Sequence, residues 1–118
     1  MAKNTLVVLE GDQTGQELLV EGLRVLDPSV TKVDLEFLYF DLSLAKREET
    51  NNGIVHEAAA AMKKHGLGIK AATITPETKG GIGSPNAVLR AEIDGTVKKI
   101  KAKPGDSLAV DAVILEFA

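Results

Sequence analysis

The sequence predicts an α/β fold: a three-stranded, at least partly parallel sheet with helices over residues 1–94, then a β-rich segment over residues 95–118. Three observations predict it. Short aliphatic runs and helical periods follow one another in strand–helix–strand–helix–strand order, which suits a layered α/β unit with parallel pairing. Gly, Pro or a capping residue marks most changes of period. After Ile93 the helical period stops, and Val97, Ile100 and Ala102 punctuate Lys98, Lys99, Lys101 and Lys103, so the last part reads as all-β.

TLVVL (Thr5 to Leu9) is β-branched and aliphatic without alternation, as in a strand buried on both faces. GDQTGQE follows as a loop. Thr14 and Glu17 have capping-box spacing, which predicts a helix from Gly15 with Leu18, Leu19, Leu23 and Leu26 as its apolar stripe and Asp27-Pro28 as its end. Lys32 to Phe40 alternates, with Val33, Leu35, Phe37 and Tyr39 on one face of a second strand. SLAKREE accommodates a helical turn. Gly53 to Gly66 is an Ala-rich helix with Lys63, Lys64 and His65 at its C-terminus and Gly66 as its stop. LGIKAATI reads as the third strand. A Gly-rich loop then leads to a helix with Ser84 at the N-cap and Pro85 at its first position.

Bulk properties exclude several functional classes. A chain of 118 residues fits one domain, and 44% hydrophobic residues suffice for a core. With only 3% aromatics that core is aliphatic, the kind of small core to which oligomerisation adds burial. A net charge of −3 argues against nucleic-acid binding. No apolar run approaches the ~18 residues of a membrane span, and the N-terminal apolar run is too short for a signal peptide. The absence of cysteine excludes disulfides and suits a reducing compartment. The expectation is a soluble cytoplasmic protein with no nucleic-acid or membrane partner.

SPNAVLR has the equipment for a carboxylate or phosphate. Ser84 offers a hydroxyl and free N–H groups at a helix N-terminus, Asn86 adds a donor, and Arg90 lies on nearly the same face. Taken alone, these residues read rather as a well-capped helix with a surface arginine. Asp12, Asp41 and Asp94 read as loop and capping residues, and His56 and His65 as structural or solvent-facing.

In combination, EGDQTGQE and TITPETKGGIGSPNAVLR resemble the GDGxGPE loop and the TTP…SxNxxLR segment of the isocitrate and isopropylmalate dehydrogenases, the metal-dependent β-decarboxylating family. Gln13 and Gln16 depart from that pattern's Gly and Pro. The resemblance covers about residues 4 to 97. It implies that Thr75, Ser84, Asn86 and Arg90 hold substrate carboxylates or neighbour the nicotinamide. It also implies that the Gly11 to Glu17 loop, with Gly11, Asp12 and Gly15, lines the cofactor cleft. Family members oxidise a 2-hydroxy acid with NAD or NADP and decarboxylate it on a divalent metal. Their further substrate arginines, acid/base Tyr and Lys, metal-binding aspartates and most of the adenosine site lie downstream of the matching region.

From Gly95, GTVKKIKAKPGDSLAVDAVILEF resembles the first half of a biotinyl or lipoyl carrier domain, with Gly95, Gly105, Asp106, Asp111, Leu115 and Glu116 as its best points. That resemblance implies a half-barrel, and no lysine matches the carrier attachment site. Residues 95–97 suit both patterns and form the overlap. The two resemblances together lead to an expected chimera, engineered or recombined, without catalytic activity of its own. It is expected to self-associate through its β-rich tail as a homodimer or higher oligomer. No cofactor is expected beyond vestiges of NAD(P) and Mg sites. Two alternatives stand beside it: a vestigial binder of small carboxylates or phosphate, and an accessory subunit completing a dehydrogenase or a biotin or lipoyl enzyme in trans.

Overall fold

A computed structural model describes residues 4–93 and two strands at 97–100 and 115–117. Strand β1 (Asn4–Glu10) is central, with β2 (Leu35–Asp41) on one side and β3 (Gly68–Lys70) on the other, all parallel. Val8 stands opposite Tyr39 of β2 and Ile69 of β3. Because side chains alternate along a strand, Leu6 and Val8 face one layer and Val7 and Leu9 the other. All four are buried, which is why β1 reads as an unbroken apolar run.

The two layers are two cores. Helix α1 (Gln13–Leu26) packs Leu19 on Leu6, Val8 and Ala71, with Leu23, Leu26, Phe37 and Ile69 around them. On the opposite face, α4 (Gly53–His65) and α5 (Pro85–Ile93) enclose Val7, Leu9, Leu42, Val55, Ala58, Ala59 and Leu89. Parallel connections keep one handedness, so the step from β1 out to β2 and the return past β1 to β3 place their helices on opposite faces. The carboxyl ends of β1 and β3 therefore border the crevice at which such sheets bind ligands.

Three boundaries differ from the sequence expectation, two through bonds between distant segments and one through a local cap. Helix α1 starts at Gln13 rather than Gly15, with Asp12 at its N-cap, and the Thr14–Glu17 box is not the cap. Instead Gly11 N–H donates to Gln16 Oε1 at 2.9 Å, and Gln16 Nε2 donates to Glu10 Oε2 at 3.0 Å. Strand β2 starts at Leu35 rather than Lys32, because Asp27 accepts the Ser29 N–H at 2.8 Å and caps a short helix, α2 (Pro28–Thr31), that ends with Lys32 in the left-handed region. Strand β3 ends at Lys70 rather than Ile74, since the Ala72 carbonyl accepts the Asp12 N–H at 3.0 Å.

The remaining elements follow their caps. Ser43 caps α3 (Leu44–Glu49), the turn expected in SLAKREE, and Gly66 at φ 73° ends α4 by donating to Met62 O. Strands β4 (Val97–Ile100) and β5 (Leu115–Phe117) pair antiparallel with a register irregularity between Val97 and Lys99. The rest of the expected half-barrel, including its Gly105-Asp106 turn, lies outside the described residues.

Candidate functional site

The β1–α1 turn closes on the segment that continues β3. A side chain at Gly11 would place its Cβ 2.1 Å from Ala72 O, and one at Gly15 would place it 2.7 Å from the same atom. Both positions thus need glycine for close backbone approach. Asp12 spans the crevice floor: Oδ1 accepts the Leu44 N–H at 2.9 Å and Oδ2 accepts the Ile74 N–H at 2.8 Å. The three residues expected to line a cofactor cleft therefore have clear backbone-fixing work, with Asp12 tying the β1–α1 turn to the start of α3 and to the segment after β3. Gln13, at φ 45°, occupies the left-handed region, at the position where the family pattern carries glycine.

Among the expected substrate residues, Asn86 and Arg90 come together. Both line a cleft of about 370 Å³ with Leu9, Met62, Lys70, Leu89 and Ile93, between the end of β3 and α5. Ser84 Oγ accepts the Asn86 N–H at 3.3 Å, as expected of the N-cap residue. Thr75 is exposed, one residue beyond the clamped Ile74, and does not line this cleft. Asn86 and Arg90 are exposed as well, so their donors face solvent.

Two functional candidates were not read from the sequence. Lys70 is half-buried in the same cleft and donates to Ala71 O at 2.7 Å and Thr73 Oγ1 at 3.3 Å. Burial first, and then the Arg47 charge, hold its ammonium below its usual value, while Asp12 pulls the other way. A lone lysine within the apolar run GIKAATI was the available signal. Arg47 of α3 is fully buried. It donates from Nε to Leu42 O at 2.9 Å, from Nη1 to Gly83 O at 3.0 Å and from Nη2 to Ile74 O, and lies 3.9 Å from Asp12 Oδ2. Asn52 adds a bond from Nδ2 to Ile82 O at 2.9 Å.

Other candidates have local roles. Asp41 accepts the Ser43 N–H at 2.9 Å, the expected loop role. His56 pairs with Glu92 across α4 and α5 in an exposed contact, and His65 sits in the last turn of α4. Asp94 lies outside the described residues. Among the described residues, no group of three or more His, Cys, Asp or Glu is placed to hold a metal ion, and no helix is long and apolar enough to cross a membrane.

Comparison with known proteins gives the same direction as the motifs. Residues 5–103 match the model of the isocitrate/isopropylmalate dehydrogenase family. The chain is 38% identical over 103 residues to the mitochondrial NADP isocitrate dehydrogenase of Aspergillus niger, covering 80% of this chain and 20% of that protein. It is 35% identical over 105 residues to the NADP isocitrate dehydrogenase of Sphingobium yanoikuyae, with 80% and 25% covered. For the cytosolic enzyme of Arabidopsis thaliana the identity is 36% over 103 residues, with 80% and 24% covered. The chain spans about a fifth to a quarter of these relatives' length. The family match runs past the 95–97 overlap to residue 103, and lends no support to the carrier-like reading of the tail. The turn built on Gly11 and Gly15, the Ser84-capped helix bearing Asn86 and Arg90, and this extent of similarity together show that the chain belongs to the isocitrate/isopropylmalate dehydrogenase family.

Proposed function

We propose that the cleft between β3 and α5 is the anion-holding part of an isocitrate dehydrogenase-like substrate site. In this reading the chain binds small polycarboxylates or phosphate without turning them over on its own. The observation that carries the reading is the gathering of Lys70, Asn86 and Arg90 on one cleft beside the N-terminus of α5. Two cations and the positive end of a helix favour a multiply charged anion, and the apolar Leu9, Met62 and Leu89 reduce competition from water. NADP, named for the relatives, accepts a hydride in such chemistry. By resemblance Thr75 and the Gly11–Glu17 loop would adjoin it.

Calorimetry tests the binding directly. Isocitrate and phosphate are expected to bind the wild type, with Arg90→Ala weakening both by at least about tenfold, the equivalent of ~1.4 kcal/mol. Wild-type binding no tighter than that of a monovalent anion such as chloride would remove the reading. NADPH formation from isocitrate, NADP and Mg²⁺ would overturn the expected lack of turnover.

Self-association, expected through the β-rich tail that lies mostly outside the described residues, belongs to the same proposal, and exposed apolar side chains elsewhere add to it. Leu18, Val25 and Val30 are more than half exposed, at 70%, 65% and 61%, as is Tyr39 on the outer strand β2 at 52%. Uncovered apolar surface of this kind favours association, and a compact monomer at micromolar concentration by analytical ultracentrifugation would exclude it. The chimeric join rests on the pattern of residues 95–117 alone, and the accessory-subunit alternative stands or falls on finding a dehydrogenase partner.

A further inference from the structure

We propose that Arg47 is a positioning residue for the anion site: its single buried guanidinium holds the carbonyls that immediately precede Thr75 and Ser84, and so fixes the span between them. The role in binding rests on the anion-site reading above; the clamp itself does not.

Three observations carry the inference. First, the cation is fully buried, and its nearest carboxylate oxygen, Asp12 Oδ2, stands at 3.9 Å, beyond hydrogen-bonding distance. Burying a charge so weakly paired is unfavourable unless its donors are satisfied. Here Nε, Nη1 and Nη2 each meet a carbonyl, those of Leu42, Gly83 and Ile74. Only a planar fork of donors spans three carbonyls in this way, whereas a lysine ammonium is a point.

Second, none of those carbonyls belongs to a helix or a paired strand. Among the described residues the guanidinium bonds only loops at the carboxyl end of the sheet. Two of its three partners sit one residue ahead of Thr75 and Ser84.

Third, the chain between the two anchors is a Gly-rich excursion that, among the described residues, is tied chiefly at its base. Gly80 and Gly83 adopt φ of 83° and 77°, Gly81 N–H closes a turn on Thr78 O at 3.0 Å, and residues 77–81 are exposed. The stem, by contrast, gathers Arg47, the Asp12 carboxylate on Ile74 N–H and the Asn52 amide on Ile82 O. Flexible loops of this composition keep high conformational entropy unless tied at the base. The clamp pre-organises the Thr75 and Ser84 ends before any ligand arrives.

The test is NMR amide exchange on the full chain, with calorimetry using isocitrate and inorganic phosphate. In the wild type, the Ile74 amide should exchange as slowly as the sheet amides of Val7 and Ala71, while Lys79 and Gly80 exchange freely. An Ile74 amide as fast as Gly80 overturns the proposal without any variant. In Arg47→Lys, Ile74 exchange should quicken by about tenfold or more while Val7 and Ala71 keep their protection. The Gly83 carbonyl carbon shift should also move, and affinity for both anions should fall by at least about tenfold. Equal loss of protection at Ile74, Val7 and Ala71 would assign Arg47 to general stability, and an unchanged loop with unchanged affinity would refute the clamp. If the wild type binds neither anion, the anion reading fails, and the exchange data alone decide whether the clamp exists.

Discussion

Two glycines of α1 separate close backbone approach from ordinary helix propensity. Gly15 and Gly22 lie on the same helix, and on propensity alone replacing either with alanine should stabilise it by about 0.8–1.0 kcal/mol. Their surroundings differ. At Gly22 the nearest atom to an added Cβ is Ile69 Cδ1, at 3.9 Å, an ordinary contact. At Gly15 the methyl would meet Ala72 O at 2.7 Å, Ala72 Cβ at 2.8 Å and Ala72 N at 2.9 Å. Backbone atoms cannot swing aside as the end of a side chain can. Overpacking of this kind costs about 1–3 kcal/mol, and moving α1 away also weakens the Asp12 N–H to Ala72 O bond, worth about 0.5–1.5 kcal/mol. The expected result is a change of sign: Gly22→Ala gains about 1 kcal/mol, and Gly15→Ala loses about 1–3 kcal/mol net. Urea unfolding at equilibrium reads both, and thermal melts should separate the variants by several degrees, at roughly 4 °C per kcal/mol. If Gly15→Ala stabilises as much as Gly22→Ala, the turn does not lie against Ala72 and the description of the crevice floor is wrong.

Gln13 supplies a second expectation. A non-glycine residue at φ 45° costs about 1–2 kcal/mol, and glycine returns about 0.5–1 kcal/mol of that through chain entropy. Gln13→Gly should therefore stabilise by up to about 1 kcal/mol; a loss in the same urea assay would show that the Gln13 side chain contributes contacts outweighing the strain. Lys70 gives a pH dependence. Its folded-state value lies below the usual 10.5, mainly through burial, so above the folded value the unfolded chain binds more protons and stability rises with pH until both states are neutral. Anion affinity should run the other way, falling as pH climbs through the same range. Lys70→Met is expected to flatten both profiles there, and an anion affinity that keeps its pH dependence in this variant would place the titrating group elsewhere.

The layering was legible because periodicity and caps are local signals. TLVVL carries its two-sided burial in its composition, and Ser84-Pro85 marks the start of α5. Two of the three misplaced boundaries were decided by atoms far away in the chain. Thr14 and Glu17 have the spacing of a cap, yet the Asp12 carboxylate is engaged by Leu44 and Ile74, 32 and 62 residues on, and the helix starts where that geometry requires. Arg47 was hidden for the same reason. In SLAKREE it looks like one more solvated charge, and only the arrival of Ile74 and Gly83, 27 and 36 residues later, makes it a buried one. The candidate site was half legible: Asn86 and Arg90 share a cleft as their helical spacing suggests, whereas Lys70 required seeing β3 beside α5.

The distribution of these bonds bears on what the segment can do by itself. Among the described residues, the side chains of Asp12, Arg47 and Asn52 reach across loops to shape the crevice, and every backbone group they bond lies between Leu42 and Gly83. The cleft residues Lys70, Asn86 and Arg90 stand on elements packed against β1 and α4. The positioning that the proposed anion site requires is thus built from interactions internal to residues 4–93. In the proposed reading, anion binding rests on the clamp and on Lys70 and Arg90, and requires neither cofactor nor metal. An affinity for isocitrate that survives without NADP or Mg²⁺, and disappears with Arg90, is the behaviour this reading requires.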